Sequence, residues 1–131
     1  MQKPILESPK LSRPNGILSP GVKVPEGNLV FVSGQVARNA QGETMGKGDV
    51  KAQTRQVLEN IKSVLESAGA TLDDVVKVSI FVTNLEEHRA QIHEVRAEYF
   101  KKDYPAAALV EVKALVIKDF LIEIEAIAVI P

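Results

Sequence analysis

The sequence predicts an α+β fold in which two helices pack on one face of a mixed β-sheet. Two segments carry apolar residues at helical spacing, and each lies between runs rich in the β-branched residues that are typical of strands. Two helices separated by strands favour a layer of helices on a sheet. The chain has 131 residues, of which 45% are hydrophobic and 25% charged, so we expect one domain over residues 1–131.

The first half is predicted to contain an irregular arm, a strand and a helix. Residues 1–16 carry three prolines without a regular period, which is typical of an arm lying on the surface. The apolar run at 29–32 predicts a strand, with a hairpin partner near 18–24. Asp49 is expected to cap the first helix and Gly69 to end it.

The second half is predicted to contain a strand, a helix and a terminal hairpin. Residues 75–82 are rich in β-branched side chains, and a capping box at Asn84 opens a helix that runs to about Lys102. Pro105 ends that helix because proline cannot continue the hydrogen-bond ladder. The two strands of the expected hairpin are 106–115 and 120–130.

The last strand is apolar on both of its faces. One face carries Ile122, Ile124, Ala126, Ala128 and Ile130, and the other carries Leu121, Ile127 and Val129 around Glu123 and Glu125. Two helices cover only one face of a sheet, so the second face is expected to be buried against other subunits. The sequence therefore predicts an oligomer.

Composition disfavours several classes of partner. Sixteen Lys and Arg residues against 17 Asp and Glu give a net charge of −1, too little positive field for nucleic acid or an anionic membrane. There is no cysteine, hence no disulfide, thiolate nucleophile or thiolate metal site, as is typical of a reducing compartment. Without a signal-peptide pattern at the N-terminus, we expect a cytoplasmic protein.

A cationic shoulder is predicted beside the apolar stripe of the second helix. Arg89, His93, Arg96 and Phe100 are spaced so that their side chains align. The shoulder is either a solvated flank that covers the edge of the core or an anion-binding edge. His88 and His93 lie five positions apart on different faces, so no metal site is expected.

Three residues near strand ends are candidates for chemistry. Ser33 lacks the Gly-x-Ser-x-Gly turn of a nucleophile, and Gly34 is favoured as a point of close backbone approach. Glu123 has two interpretations. It either joins Glu111 and Lys113 across the predicted hairpin, in a structural Glu–Lys pair, or faces a cleft and transfers a proton.

Three segments together resemble one protein family. They are Asn28–Gln35, the run QTRQVLENI at 53–61 with Ala-Gly-Ala at 68–70, and the run IEIEAIA at 122–128. They resemble the RidA/YjgF (Rid) family over about residues 16–129. The resemblance implies a chorismate-mutase-like fold and a homotrimer whose sheets form a central barrel, with ligand clefts between subunits.

The resemblance also implies an activity. Members with complete motifs hydrolyse reactive imines or enamines such as 2-aminoacrylate and release ammonia without a metal or organic cofactor. Ser33, Gly34 and Glu123 match retained positions of the family's pocket.

Three other pocket positions depart from the family pattern. The arginine that clamps the substrate carboxylate in a Pro-Ala-Arg-Ser segment matches Ala107, the tyrosine of the N-terminal segment matches Leu18, and an asparagine of the second helix matches His93. Losing a bidentate arginine weakens carboxylate binding strongly. We therefore expect Arg89, His93 and Arg96 to form a relocated anion clamp.

Three functions follow from this pattern. The first is an imine or enamine deaminase with an altered substrate, such as an enamine dicarboxylate of the aminomuconate type. The second is a non-catalytic Rid paralogue that binds a small metabolite, such as a carboxylate, or a partner protein. The third, ribonuclease-like activity, is disfavoured by only six aromatic residues and a pI of about 6.1.

Overall fold

A computed structural model of the chain describes residues 3–131, so the first two positions of the predicted arm lie outside the described residues. Its elements in chain order are β1 (Ile5–Leu6), β2 (Gly21–Val22), β3 (Asn28–Gln35), α1 (Val50–Ser67), a 3-10 turn (Leu72–Asp74), β4 (Val75–Val82), α2 (Leu85–Tyr99), β5 (Ala106–Glu111) and β6 (Ile122–Ile130).

The main sheet has the strand order β3-β6-β4-β5 and is mixed. The β4–β5 pair is parallel, whereas β6 is antiparallel to both of its neighbours. Leu58 of α1 and Ile92 of α2 belong to the same buried core as Ile80 of β4 and Ile124 of β6. Both helices pack on a mixed sheet, which confirms the predicted fold class.

The predicted helix signals are present. The Asp49 side chain accepts a hydrogen bond from the backbone N–H of Ala52, and Gly69 follows α1 with a φ of +76° that favours glycine. The Asn84 side chain accepts from the backbone N–H of Glu87. The second helix ends at Tyr99 rather than Lys102, because the backbone is already extended at the residue that follows.

The prediction of a terminal hairpin is wrong. β5 pairs with β4 in parallel, and β6 lies between β3 and β4. The crossover helix α2 brings β5 alongside β4 in the same direction, and a strand that is apolar on both faces gains most from a central position. Phe81 is therefore the cross-strand neighbour of Glu123, and the predicted Glu–Lys pair across a hairpin does not form.

The hairpin predicted for the first half is also wrong. The segment near 18–24 pairs with the arm, through Ile5 opposite Val22, instead of with β3. Pro25 has no N–H to offer a neighbouring strand, and Gly27 turns the chain with a φ of +133°. Part of the predicted irregular arm is thus a short strand.

The sheet face opposite the helices exposes large apolar side chains. Leu29 is 61% exposed, Phe31 69% and Val110 44%. They alternate along β3 and β5 with residues that point to the helix layer, such as the buried Val32. Large apolar side chains exposed at both edges of one sheet face are typical of an interaction face.

Candidate functional site

The end of β3 contains a bulge that brings Gly34 onto Glu123. Val32 pairs with Ala126 and Gln35 pairs with Ile124, so β3 holds one extra residue at this point. A Cβ atom placed on Gly34 would lie 2.5 Å from Oε2 of Glu123 and 2.9 Å from its carboxyl carbon. The close backbone approach predicted for Gly34 is therefore present.

The Glu123 carboxylate has no polar partner among the described residues. It is half-buried on the open face of the sheet, and no hydrogen bond or ion pair holds it. Ser33 lies beside it on the bulge and is exposed. We call Ser33, Gly34 and Glu123 the bulge cluster.

The shoulder of α2 divides into an exposed and a buried part. Arg89 and His93 are exposed, whereas Arg96 is only 6% exposed and donates a hydrogen bond of 2.9 Å from Nη2 to the carbonyl oxygen of Ile17. Burial lowers the pKa of Arg96 to about 10, so the guanidinium is still charged at neutral pH. Arg96 is therefore not part of a solvated flank.

Arg96 makes no ion pair with any described residue. A buried cation compensated only by a neutral carbonyl is costly, since its desolvation is not offset by an opposite charge. Such a group is a candidate for binding an anion from outside the chain.

Leu18 and His93 meet over Gly16. A Cβ atom placed on Gly16, where φ is +130°, would lie 3.7 Å from Cε1 of His93 and 3.8 Å from Cδ2 of Leu18. The next residue, Ile17, accepts the hydrogen bond from Arg96. Leu18, His93 and Arg96 thus lie around the same short segment, residues 16–18, and we call them the arm–helix cluster.

Ala107 lies near this cluster but offers no polar group. Ser19 donates from its backbone N–H to the carbonyl of Pro105 at 3.1 Å and from its hydroxyl to the carbonyl of Tyr104 at 2.5 Å. These bonds hold the arm against the start of β5. Ala107 pairs with Val78 and its methyl group packs against the core.

The start of β5, near the arm–helix cluster, lies apart from the bulge cluster within one chain. Ala107 is opposite Val78 on β4, whereas Glu123 is opposite Phe81 on the other side of the same strand. Ala107 and Glu123 are two strand spacings apart, which is about 10 Å across the sheet. They are also offset by three residues, which is about 10 Å along the strands. An offset of three residues also places them on opposite faces.

Comparison with known proteins identifies the family. The family described as endoribonuclease L-PSP matches residues 11–130. The crystal structure of YyfB from Yersinia pestis, a protein of unknown function of the conserved Rid protein family, superposes with a TM-score of 0.90 and 37% identity, covering 99% of this chain and 100% of that one. The chain belongs to the Rid (RidA/YjgF) family.

Other relatives of this Rid protein have narrower descriptions. A RutC family protein of Pyrococcus abyssi is 45% identical over 128 residues, 98% of each chain. A 2-iminobutanoate/2-iminopropanoate deaminase of Dermatophagoides farinae is 38% identical over 128 residues, 98% of this chain and 97% of that one. The crystal structure of E. coli TdcF with bound serine has a TM-score of 0.71 at 35% identity, covering 97% and 98%.

Sequence reasoning missed the role of the arm. The carbonyl of Ile17 and the hydroxyl of Ser19 bond the end of the arm to Arg96 of α2 and to Tyr104, just before β5. In the sequence, only the turn-forming residues around Gly16 could have indicated this attachment. Among residues 3–131, no group of three or more His, Cys, Asp or Glu side chains could hold a metal ion. No helix within that range is long and apolar enough to cross a membrane.

Proposed function

We propose that this Rid protein is a hydrolytic deaminase that acts on an imine or enamine of a small carboxylic acid. The buried Arg96 cation carries the proposal: it lacks an acidic partner among the described residues and lies beside two family pocket positions, Leu18 and His93. A substrate carboxylate would supply the missing negative charge.

The arm–helix cluster takes over carboxylate binding from the arginine that Ala107 replaces. A charge-assisted hydrogen bond to a guanidinium is about twice as strong as a neutral one, and burial strengthens it further. The exposed His93 imidazole, near Leu18, would add a second donor. Arg89, exposed on the same shoulder, stays a predicted contributor.

Glu123 would carry the proton transfers. Water adds to the carbon of the C=N bond while the carboxylate takes a proton from the water and returns it to nitrogen. The resulting carbinolamine expels ammonia and leaves a carbonyl compound, so that one imine and one water give one ketone and one ammonia. Gly34 leaves the space in which the carboxylate lies.

The separation of the two clusters supports a site formed between subunits. The open sheet face carries the exposed side chains of Leu29, Phe31 and Val110 as well as the bulge cluster. A homotrimer that covers this face would place the bulge cluster of one subunit against the arm–helix cluster of the next. Neither half alone holds both a carboxylate-binding cation and a proton-transferring acid.

The test is ammonia release from enzymatically generated 2-iminopropanoate and 2-iminobutanoate and from 2-aminomuconate. Glu123→Gln should lower kcat/KM by on the order of a hundredfold or more, because general acid–base catalysis is lost. Glu125→Gln is the matched control, since Glu125 is an exposed carboxylate two residues along the same strand. A wild-type rate no higher than buffer on every substrate would show that the deaminase assignment is wrong.

The second candidate is a binding protein without catalysis, and the same buried Arg96 favours it. It predicts that small carboxylates raise the melting temperature and that Arg96→Met abolishes the rise, while no substrate releases ammonia. Ammonia release that depends on Glu123 would exclude this alternative.

A further inference from the structure

The N-terminal segment forms an open, solvent-facing cavity whose lining includes Leu18 of the arm–helix cluster. Its volume is about 650 Å³, and it lies among residues of 5–20. Pockets for small molecules have volumes of about 300–1,000 Å³, so this one could hold a ligand of metabolite size. Leu18 lines the cavity and also belongs to the arm–helix cluster, so the two share one side chain.

Hydrogen bonds at both ends fix the wall of the cavity. The pairing of β1 with β2 is extended by a bond from the Lys23 N–H to the carbonyl of Pro4, at 2.9 Å. At the other end, Ser19 is bonded to Tyr104 and Pro105. The cavity is therefore attached to the residues that lead into β5, the strand that contains Ala107.

Arg13 lines this cavity with a guanidinium that has no partner. Among the described residues it forms no ion pair and no hydrogen bond, and the acid in the same lining, Glu7, is not within ion-pair distance of it. Ile5, Leu11, Leu18 and three prolines supply the apolar part of the lining, and three serines add polar groups. Apolar side chains beside a free cation match an aliphatic chain that ends in an anion.

We propose that the arm cavity is a subsite for the distal carboxylate of a dicarboxylic substrate, with Arg13 binding that carboxylate. This rests on the proposed function, in which the arm–helix cluster binds the carboxylate next to the reacting carbon. Leu18 lies between the two positions and contacts the carbon chain. The cavity then selects dicarboxylic imines or enamines over monocarboxylic ones of equal length.

Binding of unreactive probes tests the subsite without turnover. Adipate and hexanoate have six carbons each and differ in the second carboxylate, so calorimetric titration of both isolates its contribution. Wild-type protein should bind adipate tighter by on the order of tenfold or more, which corresponds to one charge-assisted contact. Arg13→Ala should abolish this preference and leave hexanoate binding unchanged.

Lys10→Ala is the matched control, because Lys10 is an exposed cation of the same arm that does not line the cavity. It should retain the preference for adipate. The subsite would be overturned if wild type bound both probes equally. It would also be overturned if the preference for adipate survived Arg13→Ala, or if Lys10→Ala lost it to the same extent. If the preference depends on Arg13 but the protein releases no ammonia, the subsite is supported and the deaminase proposal is refuted. If the protein releases ammonia but shows no preference, the deaminase proposal is supported and the subsite is refuted.

Discussion

The carboxylate of Glu123 lies so close to the backbone of Gly34 that a methyl group would not fit between them. A Cβ atom added to Gly34 would lie 2.5 Å from Oε2 of Glu123. Gly34→Ala should therefore displace the carboxylate and cost about 0.5–1.5 kcal/mol of unfolding free energy, because the group that moves is the end of a flexible side chain forced from its preferred rotamer. Urea denaturation measures this cost.

The control is the same substitution in a Glu123→Ala background. There the added methyl group meets no carboxylate, so the cost should disappear and the double-mutant cycle should show coupling between the two positions. An equal loss of stability in both backgrounds would mean that the glycine is needed for the bulge alone.

A second prediction concerns Gln53, which is fully buried on α1 and holds the start of β6. Its amide nitrogen donates to the carbonyl of Asp119 at 2.8 Å, and its amide oxygen accepts from the N–H of Leu121 at 2.8 Å. The amide nitrogen also donates to the carbonyl of Gly46 at 3.2 Å. Gln53→Leu removes all three bonds and should lower the unfolding free energy by about 2–5 kcal/mol. Chemical denaturation checks it.

Gln56 provides the comparison on the same helix. Its half-buried side chain bonds only to the side chain of Asn60, at 2.8 Å, so Gln56→Leu should change stability by no more than about 1 kcal/mol. Comparable losses for the two variants would contradict the assigned role of Gln53.

A third prediction separates ligand binding by Arg96 from structural support. A buried cation without an opposite charge has a desolvation penalty of several kcal/mol, which an apolar side chain of similar length does not have. Arg96→Met should therefore keep or raise the melting temperature of the ligand-free protein, although it loses the bond to Ile17. It should also abolish the rise in melting temperature caused by carboxylates.

Lys101→Met is the control for this experiment, because Lys101 is an exposed cation that follows the same helix and belongs to neither cluster. It should alter ligand-induced stabilisation much less. A large drop in the melting temperature of ligand-free Arg96→Met would show instead that the guanidinium is mainly a structural anchor for the arm.

Local signals predicted most elements, but not the neighbours of each strand. The β-branched run at 75–82 and the cap at Asp49 depend on nearby residues, and both formed as predicted. The pairing of β5 with β4 depends on where α2 directs the chain, which no turn residue near 112–119 encodes. The burial of Arg96 could not be predicted either, because Ile17, which covers it, is distant in the sequence.

The central proposal is that one site combines the bulge cluster of one subunit with the arm–helix cluster of another. Glu123→Gln and Arg96→Met each remove a different half, so each variant alone should release little ammonia from 2-iminopropanoate. When the two are unfolded together in equal amounts and refolded, random assembly into trimers gives about a quarter of the sites two intact halves. We predict that the mixture regains about a quarter of the wild-type rate, whereas a mixture no more active than the separate variants would contradict a shared site.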